Sequence, residues 1–240
     1  MHKIQKRAEP GHFSKWKAEY AAVHGRSPVY EDLANTREYG LLKKELVKEQ
    51  GYICCYCQNR IGKFSKMDDC NIEHFKPRHP DRSLLTAEEC EICENAQMDY
   101  RNMFASCLGR LQEDIDHCNH KKDNWYDFEL CISPASDKIN LLFGYHFNGK
   151  MIALNNNPYG NAMKDHLNLN TYILCEQRKA AFTAVLENEF DEDELLEDNT
   201  YILDTIADYG KMDRNGQYSP ICSMISYCLQ EYFGNTLSAL

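Results

Sequence analysis

The residues best suited to chemistry lie in two short stretches. The first, Ile72-Glu73-His74-Phe75-Lys76-Pro77-Arg78, sets an acid beside an imidazole. On a short strand this pairing lets the carboxylate hold a divalent cation while the imidazole takes a proton from water, the equipment needed to hydrolyse a phosphodiester. Neutral imidazole, with an ordinary pKa of about 6.5, serves as a base near neutrality if a carbonyl holds one ring nitrogen and the other stays free. A Glu-His pair alone is common, and a solvated acid beside a hydrogen-bonded histidine is its ordinary meaning. The second stretch supplies context. Cys54 and Cys57 stand three apart, the spacing at which two thiolates reach one ion at about 2.3 Å from a tight turn. A zinc knuckle is the first reading, set against a redox dithiol, for which the βαβ surroundings are missing, and against plain burial. A knuckle needs a second half: Cys90 and Cys93 share its spacing, while Cys107 and Cys118 are further apart but follow the histidine strand. Cys55 reads as packing.

Several elements must position these groups. Pro10, Gly11, Gly25 and Pro28 interrupt residues 1–30, which predicts an irregular arm with a short helix from Phe13 to Val23. Leu42 and Leu46, with Leu41 and Val47, predict a helix from Glu38 to Gln50, stopped at Gly51, that delivers the chain into the cysteine turn. Asn71 to Pro77 reads as a strand, Pro80 to Cys93 as a loop or short helix, and His117 to Lys122 as helical. Apolar alternation around Asn148-Gly149 predicts a hairpin over residues 138–154, followed by a loop from Asn155 to Asn161. Three amphipathic helices are expected at Tyr172–Phe190, Glu194–Tyr209 and Ile221–Phe233, the last entered through Pro220.

Composition narrows the function. The 240 residues suffice for a sizeable core, contain no bilayer-length apolar run, and open without an apolar signal region, which points to the cytoplasm. In a reducing compartment, twelve cysteines favour metal binding and burial over disulfides. The net charge of −10 argues against unaided electrostatic capture of nucleic acid. Charge is uneven: residues 1–78 carry 15 Lys+Arg against 10 Asp+Glu, and residues 151–240 carry 5 against 14. No nucleotide-binding glycine loop or catalytic-serine elbow is present, so an ATP-driven step would belong to another chain.

The order Cys-x-x-Cys, Glu-His with a following Pro, Tyr100-x-Asn102-Met-x-x-x-Cys107, then Cys118-Asn119-x-x-Lys122 resembles the HNH endonucleases. Further stretches are similar to the HNH subunits of Septu-type antiphage systems, including those joined to retrons. These are Leu46 to Cys57, Phe143 to Ile152 with its Gly149 turn, and His166-Leu-Asn-Leu-Asn-x4-Cys175-x-x-Arg178, so that most of residues 40–185 is covered.

The resemblance implies an α+β protein with a ββα-metal HNH core and zinc knuckle embedded in a largely helical chain. It divides the chain into an N-terminal arm and helix (1–50), a nuclease domain with its hairpin (51–154) and an acidic helical region (155–240). It assigns Glu73 and Asn119 to a catalytic Mg2+ (or Mn2+), His74 as general base, Asn102 to orient the histidine-bearing loop, and Lys122 to meet phosphate. Structural Zn2+ falls to Cys54, Cys57, Cys107 and Cys118. Two departures stand out: ten residues separate the second cysteine pair, so Cys90, Cys93 or His117 is a possible substitute, and the metal ligands are Glu and Asn where Asp and His are more familiar. His120, one turn from the metal position, faces either substrate or solvent. The implied role is the toxic effector of a bacterial defence complex, cutting DNA or transfer RNA beside an ABC-like ATPase and, in retron versions, a reverse transcriptase with its multicopy single-stranded DNA. The competing classes are a zinc-stabilised binding module without cleavage and a thiol redox protein.

Overall fold

The computed structural model describes residues 1–63, 67–110, 115–190 and 199–237. Helix α1 (Gly11–His24) begins after Pro10 and ends at Gly25 in the left-handed conformation. A single turn, α2 (Tyr30–Leu33), leads to α3 (Arg37–Glu49), whose first turn is capped by Thr36 Oγ1 accepting from the Tyr39 amide at 3.2 Å. The α3 stripe of Leu42, Leu46 and Val47 is buried, as its spacing predicts. Gly51 takes φ +61°, and a Cβ there would lie 2.4 Å from Tyr218 Cδ2, so the turn into the cysteine loop needs glycine. The arm is less loose than its composition suggests, because Met1 and Ile4 are buried and the Ile4 amide donates to the Pro134 carbonyl at 2.9 Å.

Strands β1 (Cys70–His74) and β2 (Met103–Cys107) form an antiparallel pair in the register Cys70↔Cys107, Ile72↔Ala105 and His74↔Met103. The strand expected to reach Pro77 stops at His74. Beyond it the Phe75 amide donates to the Asn102 carbonyl at 2.9 Å, and Lys76 is bonded to the Asn102 side chain instead of a strand partner. The connection between the strands contains α4 (Ala87–Asn95), started by a reciprocal capping box between Thr86 and Glu89. Helix α5 (Cys118–Lys122) packs on β2, and α3 packs against both strands.

A second hairpin, β3 (Phe143–Tyr145) with β4 (Met151–Ala153), turns at Gly149 with φ +82°. The expected Asn155–Asn161 loop is largely helix α6 (Pro158–His166). Asn157 caps it by accepting from the Gly160 amide at 2.6 Å, and Pro158 takes the first helical position. Helices α7 (Tyr172–Glu189), α8 (Asn199–Tyr209) and α9 (Cys222–Leu237) follow; residues 194–198 of the predicted middle helix lie outside the described residues. Helix α9 packs against α8, α7 and β3. One apolar cluster extends from Met1 through Phe104 and Met151 to Phe233. The fold is mixed helix and sheet, and no helix among the described residues is long and apolar enough to cross a membrane.

Candidate functional site

The antiparallel strands and α5 bring two sets of side chains together. Cys54 and Cys57 sit in a loop closed by the Ile53–Arg60 bridge and by the Cys54 amide donating to the Asn59 carbonyl at 2.9 Å. Cys107 ends β2 and Cys118 begins α5. Their four sulfurs lie within 4.8 Å of one another, with Cys57–Cys107 at 3.8 Å and Cys54–Cys118 at 4.0 Å. Thiolates about 2.3 Å from a tetrahedral zinc are separated by about 3.8 Å, so the donor set fits that ion. Four cysteines thus stand where they can hold a metal such as zinc.

Burial opposes ionisation of Cys54, yet hydrogen bonds from the Cys107, Cys118, Cys55 and Cys57 thiols hold its pKa well below the ordinary thiol range. Cys118 has φ +52°, a left-handed conformation that costs a non-glycine residue about 1–3 kcal/mol and is retained where surrounding structure demands it. His117, the possible replacement, stands outside the group of four, and its Nδ1 lies 3.1 Å from Cys118 Sγ. Cys55, Cys90 and Cys93 are buried outside the cluster.

The ten-residue spacing between Cys107 and Cys118 is closed locally. Arg110 and Asp116 form a bridge, and the His117 amide donates to the Gly109 carbonyl at 2.7 Å. Gly109 has φ +75°, and a Cβ on it would lie 2.4 Å from the His117 carbonyl oxygen. Glycine therefore lets the returning chain reach β2, and the two cysteines meet despite their separation.

The other set lines a cavity of about 320 Å³ that contains Glu73, His74 and Asn119. Glu73 is 8% exposed. Its Oε1 accepts from the Tyr56 hydroxyl at 2.8 Å and faces the Lys122 ammonium at 3.2 Å, so both interior donors use one oxygen and Oε2 is spared. Asn119 Oδ1 is buried without a hydrogen-bond partner, an acceptor lacking a donor, beside Gly109. Glu73 and Asn119 both line this cavity, but Asn119 Oδ1 lies against Gly109, which lines a neighbouring one.

His74 is 7% exposed and meets the Tyr30 ring edge-on at 4.5 Å. Its Nε2 lies 2.9 Å from the Gln97 carbonyl, which can only accept, so Nε2 carries the proton and Nδ1 is the acceptor nitrogen. Nδ1 has no protein partner among the described residues. Burial pushes the imidazole pKa down to about 3, with the Arg78 and Lys122 charges acting in the same direction, so the ring is neutral.

Asn102 Oδ1 accepts from the Lys76 amide at 2.7 Å and Nδ2 donates to the Lys76 carbonyl at 3.0 Å, clamping the backbone after His74. Lys122 differs from the expectation of a phosphate contact. Only 2% exposed, it donates to the His74 carbonyl at 3.0 Å as well as facing Glu73, so it ties α5 to the strand end instead of facing the cavity's open side. His120 is exposed and held by Asp116 at 3.2 Å and Arg110 at 3.0 Å, away from this cavity. Tyr56, Tyr30, Gln97 and Arg78 belong to the site but were not singled out by motif. Gln97 contributes through its main chain, which leaves no sequence signal; Tyr56, held between the paired cysteines, was legible in principle.

No family model matches the chain, and no curated protein matches it.

Proposed function

We propose that the protein is a metal-dependent HNH endonuclease whose ββα-metal core is β1, β2 and α5. The observation that carries this reading is one cavity shared by Glu73, a neutral His74 with Nδ1 free, and Asn119. His74 Nδ1 would accept the proton of a water attacking phosphorus, while the Gln97 carbonyl fixes the tautomer and Asn102 holds the following backbone. Glu73 Oε2 and the Asn119 amide, its Oδ1 turned from Gly109 into the cavity, would hold a Mg2+ or Mn2+ ion, which when bound supplies charge stabilisation to the phosphate and leaving oxygen. Lys122 and Tyr56 keep the Glu73 carboxylate in one orientation. A structural zinc on the four cysteines would have no open position and would serve stability alone.

With the resemblance, this chemistry supports a toxic effector of a bacterial antiphage defence complex, cytoplasmic and restrained by an ABC-like ATPase, with a reverse transcriptase and its DNA in retron versions. The net charge of −10 suits a nuclease brought to its substrate by a partner. A second reading, a zinc-stabilised binding module without cleavage, is favoured by one feature: the buried Lys122 ammonium already neutralises Glu73. Sequencing DNA and RNA ends in cells carrying the activated native operon separates them. The nuclease reading expects new ends with wild-type protein and none with His74→Ala; the binding module expects none with either.

A further inference from the structure

The cavity has a basic rim that the chemistry above does not use. Arg78 follows His74 on the segment that Asn102 clamps at Lys76. Its guanidinium lies over the Tyr30 ring, 4.2 Å from the centroid, and the same ring contacts His74. Guanidinium and imidazole are therefore one aromatic ring apart, and both line the cavity. A stacked arginine is already ordered, so it loses little freedom on binding an anion, and its planar fork matches two phosphate oxygens.

Here one prong of that fork, Nη1, is occupied by a carboxylate. Glu31, on α2, accepts a hydrogen bond from Arg78 Nη1, and His79 Nε2 lies 3.6 Å from the same Glu31 oxygen. The Glu31 side chain is 55% exposed, and a pair with so exposed a partner is weak, so an incoming phosphate with more oxygens can displace it.

We propose that Arg78, flanked by His79, is the subsite for the phosphate adjacent to the one hydrolysed, and that Glu31 plugs this subsite until a nucleic-acid strand displaces it. The identity of the ligand as a nucleic-acid strand rests on the nuclease reading; the plugged arginine does not. Such a plug gives the free protein a low affinity for stray nucleic acid.

The test is fluorescence anisotropy of labelled single-stranded DNA and RNA oligonucleotides, titrated at several salt concentrations with His74→Ala protein. Wild-type protein in Ca2+ replaces it if that variant fails to fold. Arg78→Ala should weaken binding about tenfold and lower the salt slope by about one, the signature of one lost phosphate contact. Glu31→Gln should tighten binding by about threefold or more at low salt, and should do nothing when combined with Arg78→Ala. Glu31→Gln that leaves affinity unchanged, or tightens it equally without Arg78, overturns the plug, the latter result marking a mere net-charge effect. If these shifts appear but wild-type protein, alone or with the other products of its native operon, cuts nothing with any divalent ion, the nuclease reading falls and Arg78 stands as a phosphate-binding site. If wild-type protein cuts and the shifts are absent, only the subsite falls. No binding of either probe by Glu31→Gln at the lowest salt overturns the subsite.

Discussion

At the scale of single residues, the candidate chemistry depends on which lone pairs are left over. Tyr56 and Lys122 both address Glu73 Oε1, and the Gln97 carbonyl consumes the one ring N–H of His74. What remains, Glu73 Oε2 and His74 Nδ1, is what a cation and a water require. Tyr56 lies between the paired cysteines, so the thiol loop itself steadies the carboxylate. Tyr56→Phe keeps the ring and removes that hydrogen bond. It should raise the Mg2+ concentration for half-maximal cleavage about tenfold while the rate recovers at saturating metal, the usual effect of losing a partner that orients a ligand; an unchanged metal dependence would remove Tyr56 from this role.

Burial of His74 also has a pH consequence. Its folded pKa of about 3 lies below the ordinary 6.5, so the unfolded chain binds the extra proton between those values and stability falls as pH drops through that window. Between pH 6.5 and 5 the contribution is about 2 kcal/mol. Urea unfolding at both pH values should show His74→Gln losing less stability on acidification than wild type by about that amount; equal losses would mean that the imidazole is solvated.

At the scale of elements, the two strands and α5 converge on four thiols that could hold a metal, rather than relying on their length. Neither strand exceeds five residues, too short to be stable as an isolated pair in water. The four thiols tie the loop after α3, the end of β2 and the start of α5 to one point. Cys57→Ser should therefore lower zinc content below one ion per chain and cut the melting temperature by at least several degrees, since losing a structural ion removes folding free energy. Wild-type protein that carries no zinc, with a melting curve that Cys57→Ser leaves unchanged, would show the cluster to be plain burial.

The sequence disclosed these elements unevenly, for physical reasons. Side-chain chemistry is written in residue type, so Cys54, Cys57, Glu73 and His74 stood out at once, and the α3 stripe was visible in its period. The meeting of Cys107 and Cys118 was not, because it is made by Gly109 in a left-handed conformation and by a backbone bridge between Arg110 and Asp116. Helix α6 was misread because Asn157-Pro158 marks a turn as readily as a cap followed by a first-turn proline. Lys122 was legible as a member of the site but not in its direction, since nothing in Asn-x-x-Lys says that the ammonium turns inward to the His74 carbonyl.

At the scale of the whole molecule, charge and packing pull in different directions. The N-terminal third, which supplies Glu73, His74 and Arg78 to the cavity, is the basic part of a chain whose net charge is −10. The apolar cluster nevertheless joins the arm, the strands and α9, so the acidic helices share a core with the cavity-bearing part. An acidic protein with a plugged arginine and a closed thiol cluster fits an effector that is inactive toward free nucleic acid until delivered. The central claim is narrower than that picture: the cavity holding Glu73, His74 and Asn119 breaks phosphodiesters. The most direct measurement is the rate at which purified protein, alone and with the other products of its native operon, cuts plasmid DNA and transfer RNA in Mg2+ or Mn2+. Wild type and His74→Ala should be compared at matched zinc content and melting temperature. The account expects cleavage by wild type and a loss of at least about 100-fold in His74→Ala. Cleavage by His74→Ala at the wild-type rate, or none by wild type under any of these conditions, would contradict it.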